Sequence, residues 1–215
     1  MRVSKLVLPI LFLLLITGCI SPKTYIDPSF ADATYDDVLP VTKKYKTQVL
    51  VEFQRNGELF SRANKEVRGH VERTLRATGV VEITDEDPDA SIKVVVNNIA
   101  DLSDAALKGF GTGLTFGASG SLVSDYYEIT IEFDDGKGTQ LTERYKHALH
   151  TTIGNKKAPF DNVQPTTPAD AFASVIEETI LNFIKDTQSK GLLSSEAYWR
   201  YQYSLLTARG MANQA

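Results

Sequence analysis

The sequence predicts an α+β fold, in which a mainly antiparallel sheet is covered by two amphipathic helices and followed by a C-terminal helical extension. Three observations predict it. Several runs alternate apolar and polar residues, as strands with one buried face do. Two longer stretches repeat apolar residues every third or fourth position, as surface helices do. A glycine-rich turn joins two of the alternating runs into a hairpin.

The alternating runs place the strands in order along the chain. The first covers residues 47–53 and turns at Asn56-Gly57, and others cover residues 80–84 and 92–96. The long hairpin has arms at residues 126–133 and 141–153, with its turn at residues 134–138. On its second arm the predicted inward residues are Leu141, Tyr145, Leu149 and Ile153, and the predicted outward residues are Arg144, Lys146 and His150.

Two stretches predict the helices that cover the sheet. In the first, Val67, Val71 and Leu75 recur every fourth position and Gly79 is placed to end the helix. The second begins at Thr167-Pro168, a capping residue followed by a first-turn proline, and ends near residues 185–191. Its apolar stripe consists of Phe172, Val175, Ile176, Thr179, Ile180, Phe183 and Ile184.

The N-terminus carries a secretory signal pattern that ends in the only cysteine. Arg2 and Lys5 precede an apolar stretch over residues 6–16, which is shorter than the roughly 20 residues of a transmembrane helix. The sequence Ile16-Thr17-Gly18-Cys19 resembles the lipobox of bacterial lipoproteins. That resemblance implies cleavage before Cys19 and covalent attachment of diacylglycerol and an N-acyl chain there. The alternative is an ordinary signal peptide that is cleaved elsewhere.

The residue after the cysteine predicts which membrane holds the protein, and the net charge argues against a nucleic-acid partner. Ile20 follows the cysteine, where an aspartate would resemble an inner-membrane retention signal, so we expect the periplasmic side of the bacterial outer membrane. Loss of Arg2 and Lys5 with the leader takes the formal net charge from −4 to −6. This acidic balance argues against a nucleic-acid partner, because phosphate binding needs a basic surface.

The chain divides into four predicted parts. Residues 1–18 are the lipoprotein signal peptide, residues 19–44 a tether, residues 45–190 the sheet domain and residues 191–215 the helical tail. The tether contains Pro22, Pro28 and Pro40 and shows no sustained apolar period, so we expect few regular elements in it. Its aromatic residues suggest that part of it lies along the domain surface.

Residues 105–120 are rich in glycine and poor in charge. Gly109, Gly113 and Gly117 keep a spacing of four, which on a helix forms a smooth stripe of the kind found where membrane helices pair. The alternative is a flexible crossover loop, because glycine costs about 1 kcal/mol in a helix interior. The spacing does not fit a phosphate-binding loop.

The C-terminal tail concentrates aromatic residues. Tyr198, Trp199, Tyr201 and Tyr203 form a candidate interface for an envelope protein or for self-association, since protein interfaces are rich in tyrosine and tryptophan. The alternative is that this segment packs back onto its own domain.

The titratable residues do not assemble into a recognisable active site or metal site. His147 and His150 are three apart on a strand, so they point to opposite faces and are not expected to share a metal. His70 lies among charged residues on the first helix and is expected to be solvated. The acidic residues 85–89 lack the glycine and distal glutamate of a calcium-binding loop. We therefore expect no catalytic residue, no metal and no cofactor apart from the lipid.

The lipobox, residues 90–96, the hairpin residues 126–131 and the terminal helix 170–185 together resemble the YajG-type outer-membrane lipoproteins. The resemblance implies a compact periplasmic α/β domain without catalytic residues. It leads to the hypothesis of a non-enzymatic binding or assembly module of the cell envelope. One alternative is a carrier or sensor of a small amphiphile such as lipid, with residues 109–120 as a mobile lid. Another is a hydrolase, which would need His147 or His150 beside an acid and a serine.

Overall fold

The computed structural model describes residues 22–30, 33–100 and 120–195. Two helices, α1 (Asn64–Thr78) and α2 (Pro168–Ser189), accompany two short 3-10 turns at Tyr35–Asp37 and Ser61–Ala63. The strands are β1 (Lys23–Ile26), β2 (Tyr45–Arg55), β3 (Glu58–Leu59), β4 (Val81–Ile83), β5 (Ala90–Ala100), β6 (Ser121–Asp134) and β7 (Gln140–Ile153).

All seven strands form one sheet, in the order β1-β7-β6-β5-β2-β3, with β4 paired to the start of β2. Strands β2 and β5 are parallel, as are β2 and β4, and the other pairs are antiparallel. Because parallel strands need a crossover, α1 provides the connection between β2 and its parallel neighbours. The predicted α+β class is confirmed.

Both helices pack on one face of the sheet and form the core with it. Val67, Val71 and Leu75 of α1 are fully buried, as predicted from their spacing. The buried residues of α2 include most of its predicted stripe, among them Ile176, Ile180, Phe183 and Ile184. They meet the buried side chains of β5 and β6, namely Ile92, Val94, Val96, Ile129 and Ile131.

The opposite face of the sheet, called the outer face here, carries charged residues. Its ion pairs join Lys93 to Glu132 at 3.8 Å and Lys146 to Glu128 at 3.7 Å, across neighbouring strands. The register confirms the predicted faces of β7, because Tyr145 stands opposite the buried Ile129 while Lys146 stands opposite Glu128.

Residues 19–44, where few regular elements were expected, contain one short strand and one 3-10 turn in their described part. Residues 23–26 form β1, an edge strand that pairs with β7. Tyr25 is only 5% exposed. Pairing covers backbone groups of β7 that would otherwise lie open at the sheet edge. A strand of four residues is too short to show a hydrophobic period, so its pattern in the sequence was not detectable.

The strands run between two ends of the sheet, and each end receives different parts of the chain. We call the end at which β1 begins the β1 end. There β6 also begins, and β5 and β7 reach it, so Ala100 and Gly120, which flank residues 101–119, both lie at the β1 end. At the opposite β4 end, β2 begins, and the Tyr45 hydroxyl donates to the Ser194 carbonyl at 2.7 Å. The predicted tail therefore follows from the end of the sheet opposite to β1.

Candidate functional site

The segment that follows the predicted lipidation site is attached to the domain along its length. We call residues 22–30 and 33–41 the strap. Its first part is β1, which pairs with β7 on one side, while Thr24 also exchanges two backbone hydrogen bonds with Thr166, at 2.8 and 3.0 Å. Its later part runs over α2. The strap is therefore a part of the fold and not a free spacer.

A row of three polar side chains holds the strap to the outer face of the sheet. The Ser124 hydroxyl lies 2.8 Å from Nδ1 of His150, and Nε2 of His150 lies 3.0 Å from the Asp27 carboxylate. Because a carboxylate only accepts, Nε2 carries the proton and Nδ1 accepts from Ser124. This tautomer is assigned from the hydrogen-bond partners. The row connects β6, β7 and the residue that follows β1.

Asp27 is in an environment that stabilises its charged form. Partial burial acts to raise the pKa of its carboxyl group. Hydrogen bonds from the hydroxyl and backbone N–H of Ser29 and from His150 outweigh the burial, so the pKa lies below its usual value. Asp27 is therefore ionised near neutral pH and can hold the proton on His150 Nε2.

The row contains the residue types of a serine hydrolase, but in a different arrangement. In those enzymes the serine bonds to Nε2 of histidine and the carboxylate to Nδ1, whereas here the two nitrogens are exchanged. The rings of Tyr126 and Phe160 pack edge-on against the imidazole of His150. The geometry thus suits a fixed connection between strands better than a nucleophile that must reach a substrate.

A shallow groove lies elsewhere on the outer face, towards the β4 end of the sheet. It has a volume of about 450 Å³, and its lining includes Leu50, Lys93, Glu132, Gln140 and Thr142. His150 and Ser124 are not among its lining residues. The groove and the polar row are therefore separate features.

His147 makes a second connection, on the helix-covered face. Its Nε2 lies 2.8 Å from Glu178 of α2, and its Nδ1 accepts the backbone N–H of Ala148 at 3.0 Å. The strap residue Phe30 stacks on its ring, with the centroids 5.2 Å apart. His147 is 3% exposed. The two histidines lie on opposite faces, as predicted.

Gln188 fixes the last part of the strap, and sequence reasoning did not identify it. Its amide is 1% exposed, accepts the Leu39 N–H at 2.8 Å and donates to the Leu39 carbonyl at 2.8 Å. It also donates to the Leu193 carbonyl at 3.0 Å. One side chain thus binds both the strap and the residues that precede the tail. Its position on the buried face of α2 was the available signal in the sequence.

His70 differs from its prediction as a solvated residue. It is half-buried, and its ring packs edge-on against Phe172 of α2 at 6.1 Å. The acidic residues 85–89 are exposed, as predicted for a solvated turn. Within the three described ranges, no group of three or more His, Cys, Asp or Glu could hold a metal ion.

The other candidate residues lie outside the described ranges. They are Cys19, the glycines Gly109, Gly113 and Gly117, and the aromatic residues Tyr198, Trp199, Tyr201 and Tyr203. Their roles stay predictions. In the part of the chain that the structure describes, no helix combines the length and apolar character needed to cross a membrane.

Comparisons with known proteins find weak structural similarity only. No family model matches the sequence, and no curated protein matches it. A minor lipoprotein from Acinetobacter baumannii is 13% identical, with a TM-score of 0.36 over 68% of this chain and 94% of that one.

Two further solved structures are similarly distant. The PelC dodecamer from Paraburkholderia phytofirmans is 15% identical, with a TM-score of 0.29 over 69% and 92% of the two chains. A neuraminyllactose-binding hemagglutinin homolog from Helicobacter pylori is 12% identical, with a TM-score of 0.37 over 83% and 100%. These values are too low to assign a family. The likeness to YajG-type lipoproteins stays a prediction, and function has to follow from the chain's own residues.

Proposed function

We propose that this protein is a lipid-anchored lipoprotein on the periplasmic side of the bacterial outer membrane, acylated on Cys19. Its domain acts there as a non-enzymatic binding or assembly module of the cell envelope. The observation that carries the proposal is the strap. The chain after the lipobox joins the sheet at Lys23, so only residues 20–22 separate Cys19 from β1.

The short connection supports an anchor that positions the domain. Four Cα–Cα steps from Cys19 to Lys23 span at most about 14 Å when fully extended. Beyond Lys23 the strap is held by Asp27 on His150, Phe30 on His147 and Leu39 on Gln188. The strap therefore keeps the sheet close to the bilayer, since it offers little free length between lipid and domain.

The proposed partner contact belongs to the C-terminal tail, which starts at the other end of the domain. Residues up to Ser194 are held by Tyr45 and Gln188 at the β4 end, and the aromatic residues 198–203 follow. Tyrosine and tryptophan side chains are typical anchors of protein interfaces. The tail starts at the β4 end, away from the proposed lipid, and this supports contact with an envelope protein or with a second copy of this chain.

The alternative of an amphiphile carrier receives no support from the described part of the sheet. The helices fill its inner face with fully buried side chains. Its outer face carries ion pairs such as Lys93–Glu132. An acyl chain would need an open apolar surface. The proposal accordingly assigns neither lipid transfer nor a catalytic step to the domain.

Acylation is tested by mass spectrometry of the N-terminal peptide of the full chain expressed in a bacterial host. We expect the mature wild-type chain to begin at an acylated Cys19. The Cys19→Ser variant is expected to be lost from the membrane fraction. Ser21→Ala is the matched control and is expected to stay membrane-bound. A wild-type N-terminus without lipid would overturn the anchor.

Partner contact is tested by photo-crosslinking in cells. A photoreactive amino acid is placed at Trp199 or, as a control, at the exposed Tyr126 on the outer face. We expect a discrete adduct with an envelope protein, or with another copy of this chain, from position 199 and not from 126. The absence of an adduct at 199 would refute the assigned contact.

A further inference from the structure

We propose that the β1 end of the sheet is a membrane-contact surface, which rests on the anionic phospholipid headgroups of the bilayer that holds the anchor. Lys23, Lys156, Lys157 and Leu122 form its centre. This inference rests on the proposed acylation of Cys19, and it adds which end of the domain touches the membrane and through which chemistry.

The strap begins at one corner of the sheet. Lys23 stands opposite Thr152, and Thr152 stands opposite Leu122, so the three residues form one row across β1, β7 and β6. Ser121 at the start of β6 pairs with Ile153 at the end of β7, so this row lies one residue from the ends of both strands. The corner is the part of the sheet nearest to Cys19 in the chain.

The loop of residues 154–166 folds against the same corner. A side chain at Gly120 would meet the Ile153 carbonyl at 2.8 Å and also the backbone of Lys156. Glycine is required at position 120, because its φ of +67° is in the left-handed region and the loop lies against it. This close approach places Lys156 and Lys157 at the β1 end.

The side chains at this corner are exposed to solvent. Lys23, Lys156 and Lys157 are all exposed, and none of them forms an ion pair within the described ranges. Leu122 beside them is 41% exposed. Unpaired lysines around an exposed apolar side chain suit an anionic headgroup layer, since each lysine adds electrostatic attraction near the surface.

Charge is unevenly distributed between the two ends of this acidic protein. The acidic turn at residues 85–89 and the hairpin turn with Asp134 and Asp135 both lie at the β4 end, and a side chain at Gly136 would stand 3.6 Å from the Asp89 carbonyl. Lys43, Lys44 and Lys137 share that end without balancing its acids. The loop at the β1 end has one acid, Asp161, against its two lysines. Two more acids lie at this end: Glu58, which stands opposite Arg55 at the far β3 edge, and Asp170, in the first turn of α2. An anionic bilayer therefore attracts the corner that holds Lys23, Lys156 and Lys157, and repels the β4 end.

The test uses the acylated full chain in vesicles of phosphatidylethanolamine and phosphatidylglycerol. The thiol of Cys19 is consumed by lipid, so Lys157→Cys or Lys137→Cys supplies a single site for a nitroxide label at either end. A nickel-chelating lipid then reports how often each label meets the headgroups. We expect several-fold stronger relaxation at position 157 than at 137. Equal relaxation, or stronger relaxation at 137, would overturn the proposal.

Charge reversal tests the lysines directly. The variant with Lys23→Glu, Lys156→Glu and Lys157→Glu is compared with the matched variant Lys43→Glu, Lys44→Glu and Lys137→Glu, each with the label at Leu122→Cys. We expect the first variant, and high salt, to reduce headgroup contact several-fold, and the second variant to leave it unchanged. Unreduced contact in the first variant, or an equal reduction in both, would overturn the proposal.

Mass spectrometry and vesicle flotation of the same samples separate the two proposals. Protein that carries no lipid and does not float contradicts the anchor itself. Protein that is acylated and floats, but shows no preference for the β1 end, contradicts only the membrane-contact surface.

Discussion

Replacing Asp27 by alanine tests whether the strap is held by the polar row on the outer face. Asp27 accepts two hydrogen bonds from Ser29, two residues away, and one from His150 on β7. The Ser29 bonds are local to the strap. The bond to His150 joins the strap to the sheet, so its loss should weaken that attachment.

The expected magnitude follows from the burial of the donor that the substitution leaves behind. The His150 side chain is 12% exposed. A nearly buried N–H without a partner costs about 1–3 kcal/mol, so we expect Asp27→Ala to lower the free energy of unfolding by about 2 kcal/mol. Asp36→Ala is the control, because Asp36 is exposed in the same strap and should change stability by at most about 0.5 kcal/mol.

Urea denaturation at several pH values measures this difference. The pKa of Asp27 is lowered below 3.8 in the folded protein, so its ionised form stabilises the fold above that pH. The contribution is lost as the pH falls through the folded pKa. We therefore expect wild type and Asp27→Ala to differ at neutral pH and to converge as the pH falls through the lowered pKa of Asp27. Equal stability at neutral pH, or a difference that persists in acid, would refute the reasoning.

Two further substitutions test other attachments by urea denaturation. Gln188→Ala removes a buried amide that bonds Leu39 and Leu193, so three backbone groups lose their partner. We expect the free energy of unfolding to fall by about 3 kcal/mol. A fall no larger than that of the control Ser189→Ala would contradict this. Thr167→Ala removes the cap whose hydroxyl accepts the Asp170 N–H at 3.1 Å, and should cost about 1 kcal/mol. An unchanged denaturation midpoint would contradict the capping role.

The helices and the long hairpin were predictable because their information is local. Val67, Val71 and Leu75 recur at every fourth position, and the period of a helix alone predicts that they share its buried face. The faces of β7 follow from alternation once its strand is recognised. Gly79, at φ +70°, ends α1 as its position indicated, because glycine readily adopts the left-handed conformation there.

The contacts of the strap could not be predicted in the same way. Asp27 and His150 are 123 residues apart, and Leu39 and Gln188 are 149 apart. Nothing in a periodic pattern pairs such residues. The sequence placed His150 on the outward face but did not identify Ser124 and Asp27 as its partners. It also predicted a solvated His70, because the contact with Phe172 of α2 is a tertiary one that the local pattern does not show.

By itself, the sequence determined the α+β class, the order of the main elements and the prediction of a lipid on Cys19, since each depends on neighbouring residues. Only the tertiary structure decided where these parts lie relative to one another. It made residues 23–26 an edge strand, and it placed the flanks of residues 101–119 at the β1 end and Ser194 at the β4 end. The physical reason is that strand pairing and burial join residues that are distant in the chain, which local patterns do not specify.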